Sequence, residues 1–598
     1  MSHIPGLRFL RPYLSGPLPD STTVYARFYS ASRPRRPFPP AAICMGQQRR
    51  ALLKAVVSKM ANRDARHVRE EEELENPANR AVSVDRRIKK LEKFGVLHYP
   101  RLESRINRMS ISVFVEKFGG DFSSTPLTAE ELNQDVTLEG RIMAIRRSSS
   151  RLIFLVVRAG YTETQIMINA AQLGSFGGGQ QDVFTFAMHP LRRGDIITVQ
   201  GSPRRNKSNQ LVLLAKELPE IIAPALATLP DHLVNEETQI LNRHVDMLVT
   251  TRTLAIFRLR SLVIKSMRDF FHEQDFIEVQ TPILADSAGG AIARPFLTSA
   301  TAFPEKELAM RIAPELWLKR LVVGGNDRVF EIGPSFRNEG LDTTHNPEFT
   351  TCEFYSAYTN LEGLISMTEN LVSRLFKDVD AMSQTKLPSM ESKVAIPEGR
   401  WNRVEFVPAL EEKLGFKFPD LSKSDALEKL SSLLAEKHWD EVTPGITLNK
   451  LLDNLASKFL EEASMEAPLF IIHHPACMSP LSKSFECPKT GQLVSARAEL
   501  FMEGREIANM YEEENDPFEQ RRKFEEQMQA KSAEDDEGPF EIDESYVQAL
   551  QHGLPPTGGW GCGVDRLVML LSGSSRISDT LSFGSLKNVV SLSKAGKA

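Results

Sequence analysis

The fold is indicated most sharply by Val329-Phe-Glu-Ile-Gly-Pro-Ser-Phe-Arg-Asn-Glu339, followed after a short loop by Glu348-Phe-Thr-Thr-Cys-Glu-Phe-Tyr355. Side chains alternate along a strand, which predicts that Arg337 and Glu339 share one face of the first strand. The same rule places three residues of the second strand on one face: Phe349, Glu353 and Tyr355. A buried face with such polar groups is costly unless a polar ligand occupies it. We therefore expect a ligand site here, with His345 on the connecting loop.

A third segment, Glu499-Leu-Phe-Met-Glu-Gly-Arg-Glu-Ile-Ala-Asn-Met-Tyr-Glu-Glu513, is typical of a hairpin that turns at Glu503-Gly504. Period-two alternation places three of its polar residues on one face: Asn509, Tyr511 and Glu513. Glu506 has the opposite parity and reaches that face only if a β-bulge intervenes. The sequence leaves this point open.

Two further segments flank these three. Gly558-Gly-Trp-Gly-Cys-Gly-Val-Asp-Arg-Leu-Val568 predicts a glycine-rich strand that opens an apolar helix. Its glycines allow either close approach of the backbone to a ligand or tight packing of strand and helix. Phe276-Ile-Glu-Val-Gln-Thr-Pro-Ile-Leu284 follows an amphipathic helix predicted over 256–273, and alone it carries little information.

Nearer the start of the chain, short strands rich in β-branched residues alternate with Gly, Ser and Asn turns. Such closely spaced strands favour a small barrel of the OB-fold type, which binds single-stranded nucleic acid by aromatic stacking beside cations. Phe154 beside Arg146 offers that pair, although a lone Phe on a strand is as often part of the core. Five strands are predicted, at 136–141, 152–157, 164–168, 195–200 and 210–214.

The composition bounds the function. The chain has 598 residues, 41% hydrophobic and 25% charged, with a formal net charge of −5. This length predicts two or three domains, and the charge excludes a general polyanion binder, so any nucleic-acid contact must use local basic surface. Five scattered cysteines without a CxxC pair argue against a disulfide framework. No apolar run is long enough for a membrane span, so we expect no membrane partner.

The N-terminal segment differs from the rest. Residues 1–50 contain eight arginines against a single acid, Asp20, among many serines and prolines. This profile is typical of a mitochondrial transit peptide, with a disordered basic tail as the alternative. We predict a transit peptide over residues 1–46 and a charged helical extension over residues 47–95.

The segments, in this order, resemble the three signature motifs of class II aminoacyl-tRNA synthetases, and their detail is similar to the lysine enzyme. The similarity extends from about Val136 to Asn588 and is close in Arg311-Ile-Ala-Pro-Glu-Leu-Trp-Leu-Lys-Arg-Leu-Val-Val-Gly-Gly325 and His345-Asn-Pro-Glu-Phe-Thr350. The resemblance implies an α+β chain. A five-stranded OB-fold β-barrel for anticodon binding (residues 96–225) would precede a class II catalytic domain (residues 231–598) built on an antiparallel sheet flanked by helices, with a helical insertion at about 400–467.

The resemblance also implies an ATP site. Arg337 would hold the α-phosphate and the amino-acid carboxylate, a bidentate task suited to guanidinium. His345 and Arg566 would reach the γ-phosphate, and Glu499 and Glu506 would carry Mg²⁺. Because the substrate carboxylate is already a nucleophile, catalysis would rest on placement and electrostatics. The catalytic side chains would be Arg337, His345 and Arg566. Adenine would be read by Glu339 and Asn346 and stacked between Phe349 and Arg566.

The amino-acid pocket implied by the resemblance contains three carboxylates, which suit a substrate with two ammonium groups. Gly290 and Glu315 would take the α-amino group, and Glu315 is the most discriminating position, because the aspartate and asparagine enzymes usually carry Gln there. A desolvated carboxylate without its cation is costly, so neutral isosteres of lysine should be rejected. The ε-ammonium would meet Glu353, Tyr355 and Glu513. The lysine-binding residues would be Gly290, Glu315, Arg337, Glu353, Tyr355, Asn509, Tyr511 and Glu513.

In the barrel, the resemblance implies that Phe154 stacks on a central anticodon base while Arg146 and Gln165 contact base edges. The expected activity is lysine–tRNA ligation: lysine and ATP give lysyl-adenylate and pyrophosphate, and lysine then passes to the 3′ end of tRNA(Lys) in the mitochondrial matrix. A homodimer is expected, with the segment 276–284 at its interface. The alternatives are an aspartyl- or asparaginyl-tRNA synthetase and a catalytically inactive tRNA-binding paralogue.

Three residues depart from the family pattern. Met510 stands where the family usually has Gly, and Trp560 and Cys562 replace aliphatic residues. None of these departures removes a proposed catalytic group, so activity is expected. Whether Met510 narrows the lysine pocket is left open by the sequence.

Overall fold

The computed structural model describes residues 77–101, 107–119, 127–173, 184, 188–287, 289, 293–385, 399–439, 447–532 and 542–595. These residues belong to one unit of the chain, Glu70–Ala598. The predicted transit peptide, residues 1–46, lies outside the described residues, as do residues 47–76 of the predicted charged extension. The remainder of that extension is helical over Pro77–Lys93 (α1).

A β-barrel follows two short helices, Ile111–Gly119 (α2) and Ala129–Asn133 (α3). Its strands are β1 (Val136–Ser149), β2 (Leu152–Ala159), β3 (Thr162–Asn169), β4 (Ile196–Arg205), β5 (Leu211–Ala215) and β6 (Glu220–Ala223). Within the described residues the sheet order is β1-β2-β3-β5-β4-β6, and pairing of β1 with β4 closes the barrel. Alternate apolar residues such as Ile153, Leu155 and Val157 fill its interior. All five predicted strands are present, and β6 extends the sheet beyond them.

The rest of the described chain alternates helices with strands. The helices are α4 (Glu236–Leu241), α5 (Arg243–Val249), α6 (Thr251–His272), α7 (Glu315–Val323), α8 (Leu361–Thr385), α9 (Phe406–Leu414), α10 (Ala426–Glu436), α11 (Leu448–Phe459), α12 (Pro517–Ser532), α13 (Glu544–Leu550), α14 (Val564–Ser572), α15 (Ile577–Thr580) and α16 (Leu586–Ala595). The strands are β7 (Ile277–Glu278), β8 (Leu284–Ala285), β9 (Leu297–Ala300), β10 (Phe303–Met310), β11 (Arg328–Phe336), β12 (Glu348–Ala357), β13 (Asn402–Glu405), β14 (Leu469–Ile472), β15 (Ser484–Glu486), β16 (Leu493–Ser495), β17 (Arg497–Met502), β18 (Arg505–Glu512) and β19 (Thr557–Gly563).

One large sheet organises this part of the chain. In the described residues it has the order β13-β14-β17-β18-β19-β12-β11-β7. The six strands from β14 to β11 are antiparallel to their neighbours, whereas the edge strands β13 and β7 pair in parallel. The expected antiparallel sheet flanked by helices therefore forms the centre of a mixed sheet. Helices α9, α10 and α11 make a separate apolar cluster against β14 and β17, in the region predicted as a helical insertion.

The two faces of the large sheet differ in character. One face packs on α6, α8 and α14 and forms the main apolar core, which includes Phe354, Trp560 and Cys562. The predicted amphipathic helix, 256–273, is the greater part of α6. The opposite face carries the polar residues singled out from the sequence. Among the described residues, no helix has both the length and the apolarity to cross a bilayer.

Candidate active site

A cavity of about 500 Å³ lies on the polar face of the large sheet. It brings together residues from all three of the polar segments predicted to form one site. Its walls include Glu315, Arg337, Glu339, His345, Asn346, Phe349, Glu353, Tyr355, Glu506, Asn509, Tyr511 and Arg566. Glu499 and Glu513 stand beside these residues on β17 and just after β18, while Gly290 lies outside the described residues.

Strand register explains why distant residues meet in this cavity. Glu499 of β17 is paired with Asn509 of β18, Asn509 with Gly561 of β19, and Gly561 with Glu353 of β12. The next row of the same face runs through Arg497, Tyr511, Gly559 and Tyr355. Two rows across four antiparallel strands thus form the floor of the cavity.

The glycines of β19 allow both close approach to the cavity and tight packing on the opposite face, the two roles between which the sequence does not decide. A Cβ on Gly559 would lie 1.8 Å from Oε1 of Glu513 and 2.7 Å from the ring of Tyr355, so only glycine leaves room for these side chains. On the opposite face, a Cβ on Gly558 would lie 2.8 Å from the carbonyl oxygen of Thr359. Close approach to the cavity and tight packing alternate along the strand.

A β-bulge resolves the parity of Glu506. Leu500 is paired with Ala508, but the next residue, Phe501, is paired with Glu506. Ile507 is the extra residue and is buried in the core. The bulge therefore turns the carboxylate of Glu506 onto the cavity face.

The prediction that Arg337 and Glu339 share one face of a strand is wrong, because β11 ends at Phe336. Both residues follow the strand and reach the cavity from its loop. The backbone N–H of Arg337 donates to the carbonyl of Pro347 at 2.8 Å, and its guanidinium lies 5.1 Å from the ring centre of Phe349. The last pair of β11 with β12 is Phe336 with Glu348, and the N–H of Glu339 then donates to the carbonyl of Arg337 at 2.9 Å in a tight turn.

The innermost part of the cavity is lined by acids around a buried lysine. Oε1 of Glu315 accepts hydrogen bonds from Nζ of Lys319 at 2.6 Å and from the hydroxyl of Tyr511 at 2.8 Å. Nζ of Lys319 also forms an ion pair with Glu513. Lys319 is 0% exposed, so this ammonium is part of the protein interior. Sequence reasoning missed it, although a position four residues after Glu315 on a helix is a recognisable signal.

Glu353 differs from its two acidic neighbours because no ion pair in the described part of the chain includes it. Its Oε2 receives a long hydrogen bond, 3.4 Å, from the hydroxyl of Tyr355. Burial, and then the negative charge of Glu315, raise the pKa of Glu353 to about 8. A cation that binds beside a buried carboxylate with a raised pKa stabilises the ionised form of that carboxylate.

On the outer side of the cavity, His345 is held between an acid and an arginine. Its Nδ1 lies 2.7 Å from Oδ2 of Asp342, and its Nε2 lies 2.7 Å from Nη2 of Arg566. Because arginine can only donate, Nε2 must be the acceptor, and the ring carries its proton on Nδ1. Partial burial would raise the pKa of Asp342, but hydrogen bonds from Thr344 and His345 lower it to about 2.

Glu499 and Glu506 form a close pair of carboxylates with unequal surroundings. Burial would raise the pKa of Glu499, but Arg497 and His474 lower it to about 2; Nε2 of His474 lies 3.1 Å from Oε2 of Glu499. Withdrawal from water and then the charge of Glu499 raise the pKa of Glu506, whose Oε2 lies 3.3 Å from Nη1 of Arg566. No group of three or more His, Cys, Asp or Glu residues suited to a metal occurs within the described ranges.

The side chain of Asn346 is engaged within the protein. Its Oδ1 accepts from the backbone N–H of Leu586 at 3.0 Å, and its Nδ2 donates to the carbonyl of Glu348 at 2.6 Å. One donor and one acceptor of the amide are therefore used within the protein, and one of each remains. Glu339 is exposed at the mouth of the cavity.

Arg497 and His474 are further cavity-side residues that sequence reasoning missed. Arg497 donates to Oδ1 of Asn509 at 3.1 Å and contacts Glu499. It shares strand parity with Glu499, so alternation along β17 could have revealed it. His474 follows β14 and has no such pattern in the sequence.

Met510 does not narrow the pocket. It is 0% exposed, belongs to the main core on the opposite face of the sheet, and its sulfur lies 3.5 Å from the hydroxyl of Thr368. Trp560 also faces that core, where it stacks on Phe354 at 5.1 Å between ring centres. The side chains of Met510, Trp560 and Cys562 thus belong to the main core beneath the sheet.

A second polar surface lies on the barrel, where Arg146, Phe154 and Gln165 share one face. Arg146 is directly opposite Phe154, and its guanidinium lies 5.0 Å from the ring centre. Gln165 is opposite Val156, two residues beyond Phe154 on the same strand. Its Oε1 is buried and has no hydrogen-bond partner among the described residues. This face thus combines a stacking ring and a cation with the buried amide of Gln165.

Comparison with known proteins identifies two families. A family model described as "tRNA synthetases class II (D, K and N)" matches residues 235–587. A second, described as "OB-fold nucleic acid binding domain", matches residues 136–221. The matches cover the large sheet with its cavity and the barrel, respectively.

Curated relatives extend over most of the chain. The mitochondrial lysine–tRNA ligase of Schizosaccharomyces pombe is 39% identical over 512 residues, covering 85% of this chain and 94% of its own length. Lysine–tRNA ligase cla4 of Cladosporium cladosporioides is 38% identical, covering 77% of each chain. The mitochondrial lysine–tRNA ligase of Saccharomyces cerevisiae is 36% identical, covering 80% of this chain and 87% of its own.

Proposed function

Because this chain belongs to the class II tRNA synthetases of the D, K and N group and is an aminoacyl-tRNA synthetase with ATP as a substrate, we propose that it is the lysine–tRNA ligase of mitochondria. In the first step a carboxylate oxygen of lysine attacks the α-phosphorus of ATP, and pyrophosphate leaves. In the second, a 3′-terminal hydroxyl of tRNA(Lys) attacks the carbonyl of lysyl-adenylate, and AMP leaves.

The proposal that lysine is the amino-acid substrate rests on one observation, the acidic end of the cavity. Glu315, Glu353 and Glu513 converge there, each less than 10% exposed. An aspartate pocket would need a cation facing the side-chain carboxylate of the guest, yet the buried cation at this end, Lys319, is already paired with Glu315 and Glu513. Two ammonium groups on one guest match this arrangement. Glu315 is proposed for the α-amino group, and Glu353 with Tyr355 and Glu513 for the end that receives the ε-ammonium.

The outer half of the cavity is proposed as the ATP site. Arg337 would bind the α-phosphate and the lysine carboxylate, and Phe349, packed against that guanidinium, would stack on adenine. Arg566 would meet the γ-phosphate, and His345, whose Nε2 lies 2.7 Å from Nη2 of Arg566, would reach it beside that guanidinium. Glu339 and Asn346 would contact the base. Fixed donors at these positions stabilise charge on the departing pyrophosphate without reorganising.

Glu499 and Glu506 fit a magnesium site. Mg²⁺ takes one or two carboxylates together with water and phosphate oxygens. Burial, and then the charge of Glu499, raise the pKa of Glu506, and a divalent cation bound beside both groups would favour its ionised form. Bound there, the ion would neutralise charge on the phosphates. The protein's own residues keep Glu499 ionised at neutral pH through Arg497 and His474.

The barrel surface of Phe154, Arg146 and Gln165 is proposed to read the anticodon of tRNA(Lys). The position of Gln165 on the same face as Phe154 supports a base-edge contact, and the half-exposed ring of Phe154 supports stacking. We also propose a homodimer. Ile277, Ile283 and Leu284 are 52%, 39% and 48% exposed around the first motif, an apolar surface suited to a second copy.

Mitochondrial matrix residence rests on the arginine-rich residues 1–46 as a transit peptide and on mitochondrial relatives. A fusion of residues 1–50 to a reporter should carry it into the matrix. Retention of the reporter in the cytosol would contradict this part of the proposal.

The decisive test of function is amino-acid-dependent exchange of pyrophosphate into ATP, in the presence of Mg²⁺. Lysine should support exchange, whereas aspartate and asparagine should not. Exchange with either of those two would favour the neighbouring members of the group. Tight binding of tRNA without exchange for any amino acid would favour an inactive tRNA-binding paralogue.

A further inference from the structure

The guanidinium of Arg497 on β17 is held in place by contacts with three parts of the protein. Its Nη1 donates to the carbonyl oxygen of Met478 and to Oγ of Ser479, each at 3.0 Å. Its Nη2 contacts Oε1 of Glu499, and its Nε donates to Oδ1 of Asn509 at 3.1 Å. The side chain is 15% exposed. Because the guanidinium is planar and rigid, these contacts fix it in one orientation.

The contact with Arg497 determines which way the amide of Asn509 points. A guanidinium can only donate hydrogen bonds, so the amide atom that faces Nε must be the oxygen. The amino group, Nδ2, is therefore on the other side of the amide, and it has no hydrogen-bond partner among the residues that the structure describes. Asn509 is half-buried and lines the cavity. This residue thus offers the cavity a hydrogen-bond donor.

The position of Asn509 in the sheet indicates which end of the guest this donor meets. Asn509 is paired with Glu499 on one side and with Gly561 on the other, and Glu353 follows in the same row. Glu353 is proposed for the ε-ammonium, and Glu499 for the magnesium at the phosphates. The carboxylate of the amino acid must point towards the phosphates to react. An N–H donor between these two ends suits that carboxylate, whereas an amide oxygen would suit an ammonium group.

We propose that Arg497 is a positioning residue, which holds the amide of Asn509 with its N–H donor towards the carboxylate of the amino-acid substrate. The inference rests on the proposed lysine–tRNA ligase function and deepens it. Arg497 itself remains bonded to Glu499 and to the loop at 478–479, and it acts on the substrate through Asn509. Without the guanidinium, the amide could rotate by half a turn and present its oxygen, which repels a carboxylate.

The test compares two guests, lysine and 1,5-diaminopentane, which has both ammonium groups of lysine but no carboxylate. Their Kd values are measured by titration calorimetry on the full-length protein without ATP or Mg²⁺. The parent should bind lysine more tightly, because of the contacts to its carboxylate. In Arg497→Met the Kd for lysine should rise by about tenfold or more, because a hydrogen bond to a charged group is lost. The Kd for the diamine should rise by no more than about twofold, since the diamine does not use that bond.

Substitution of Asn509 separates positioning from direct contact. Asn509→Ala should weaken lysine binding as Arg497→Met does, and adding Arg497→Met to it should change the Kd for lysine by no more than about twofold. Asn509→Asp keeps the ion pair of Arg497 with Glu499 but replaces the N–H donor with an acceptor. It should weaken lysine binding by about tenfold or more and bind the diamine at least as tightly as the parent. This variant tests the amide orientation even if Arg497→Met fails to fold.

Arg403 on β13, at the edge of the same sheet, provides a matched control. Its Nη1 lies 2.8 and 2.7 Å from the two carboxylate oxygens of Glu362, and its side chain is 19% exposed. Arg403 does not line the cavity. Arg403→Met makes the same change of size and charge outside the site, so the Kd values for both guests should stay within about twofold of the parent.

The contrary results are distinct from one another. Unchanged lysine binding in Arg497→Met, or an equal loss of affinity for both guests, would overturn the inference. A further loss of lysine binding when Arg497→Met is added to Asn509→Ala would mean that Arg497 contacts the substrate directly. Tighter binding of lysine by Asn509→Asp would mean that this position meets an ammonium group. Failure of the proposed function would appear instead in the parent protein, as an absence of lysine-dependent pyrophosphate exchange.

Discussion

The cavity and the barrel surface, the two proposed recognition sites, differ in their physical character. The acidic end of the cavity is closed to water: Glu315, Glu353 and Glu513 are 4%, 8% and 1% exposed. On the barrel, Arg146 is exposed, Phe154 is half-buried, and the recognition groups are a ring, a cation and an amide oxygen. In the first region each charge lies in a low-dielectric interior, and in the second the contacts face solvent.

This difference in burial determines how strongly a single substitution should affect recognition in each region. A buried charge without its partner is penalised by desolvation, so one substitution in the cavity changes substrate choice by orders of magnitude. Stacking and base-edge contacts at an open surface contribute about 1–3 kcal/mol each, and they add to one another. One substitution in the cavity should therefore abolish recognition of the amino acid, whereas one substitution on the barrel should weaken recognition of the tRNA only in part.

The largest effect is expected for Glu353→Gln. The amide keeps the shape of the carboxylate but removes the charge that pairs with the ε-ammonium, so kcat/KM for lysine exchange should fall by about a thousandfold. Thermal stability of the lysine-free protein should not fall, because the native carboxylate is costly to ionise there. A loss below about tenfold, measured by exchange, would place the ε-ammonium elsewhere.

A smaller effect is expected for Phe154→Ala on the barrel. Loss of one stacked base should lower kcat/KM for tRNA aminoacylation by about ten- to a hundredfold. Lysine-dependent exchange, which needs no tRNA, serves as the internal control and should be unchanged. A fall in exchange would mean that the substitution damages the fold, and unchanged aminoacylation would remove Phe154 from the anticodon site.

The affinity of the cavity for lysine should depend on pH, whereas recognition by the barrel should not. The pKa of Glu353 is about 8 without substrate, and lysine requires its ionised form. Lysine affinity should thus rise with pH by up to about tenfold per unit below pH 8 and level off above it. Titration calorimetry in two buffers at pH 7 should detect release of about one proton on binding, and Glu353→Gln should abolish this release.

The raised pKa of Glu353 also makes the stability of the folded protein depend on pH. Its folded pKa of about 8 is above the ordinary value of 4.5, so the folded state favours the protonated form. This contribution is fully present below about pH 4.5 and is lost as pH rises through about 8. The melting temperature of the lysine-free parent should fall across that window more than that of Glu353→Gln. Parallel pH profiles for the two proteins would contradict the raised pKa.

The smallest effect on substrate recognition is expected for Met510→Gly, on the core face of the same strand. Removing a buried methionine leaves a cavity and should lower the free energy of unfolding by about 2–5 kcal/mol. Because Met510 faces away from the pocket, the KM for lysine should stay within about twofold of the parent. A larger change in this KM would show that packing beneath the sheet sets the pocket.

Alternation along strands predicted much of the site. Phe349, Glu353 and Tyr355 were assigned to one face by parity, and all three line the cavity. The same rule holds for Asn509 and Tyr511, which line the cavity, while Met510 between them faces the core. Parity is reliable here because the central strands continue through these residues without interruption.

Strand alternation did not predict the orientation of side chains at positions where the backbone departs from a regular strand. Arg337 and Glu339 follow the end of β11, so alternation did not apply to them. Glu506 joins the cavity face only through the bulge at Ile507, which no local residue preference announced. The charge state of the cluster was also hidden, because Lys319 stands on a helix and meets Glu513 through tertiary packing. Sequence patterns describe single elements, whereas these features arise where elements meet.

The central claim, that the closed acidic cavity selects a doubly cationic guest, is tested most directly by comparing lysine with 2-aminoheptanoic acid, in which a methyl group replaces the ε-ammonium. The parent protein should support pyrophosphate exchange with lysine at a kcat/KM about a thousandfold or more above that for the isostere. A ratio below about tenfold would contradict the account, because it would mean that the buried carboxylates do not meet the side-chain charge of the substrate.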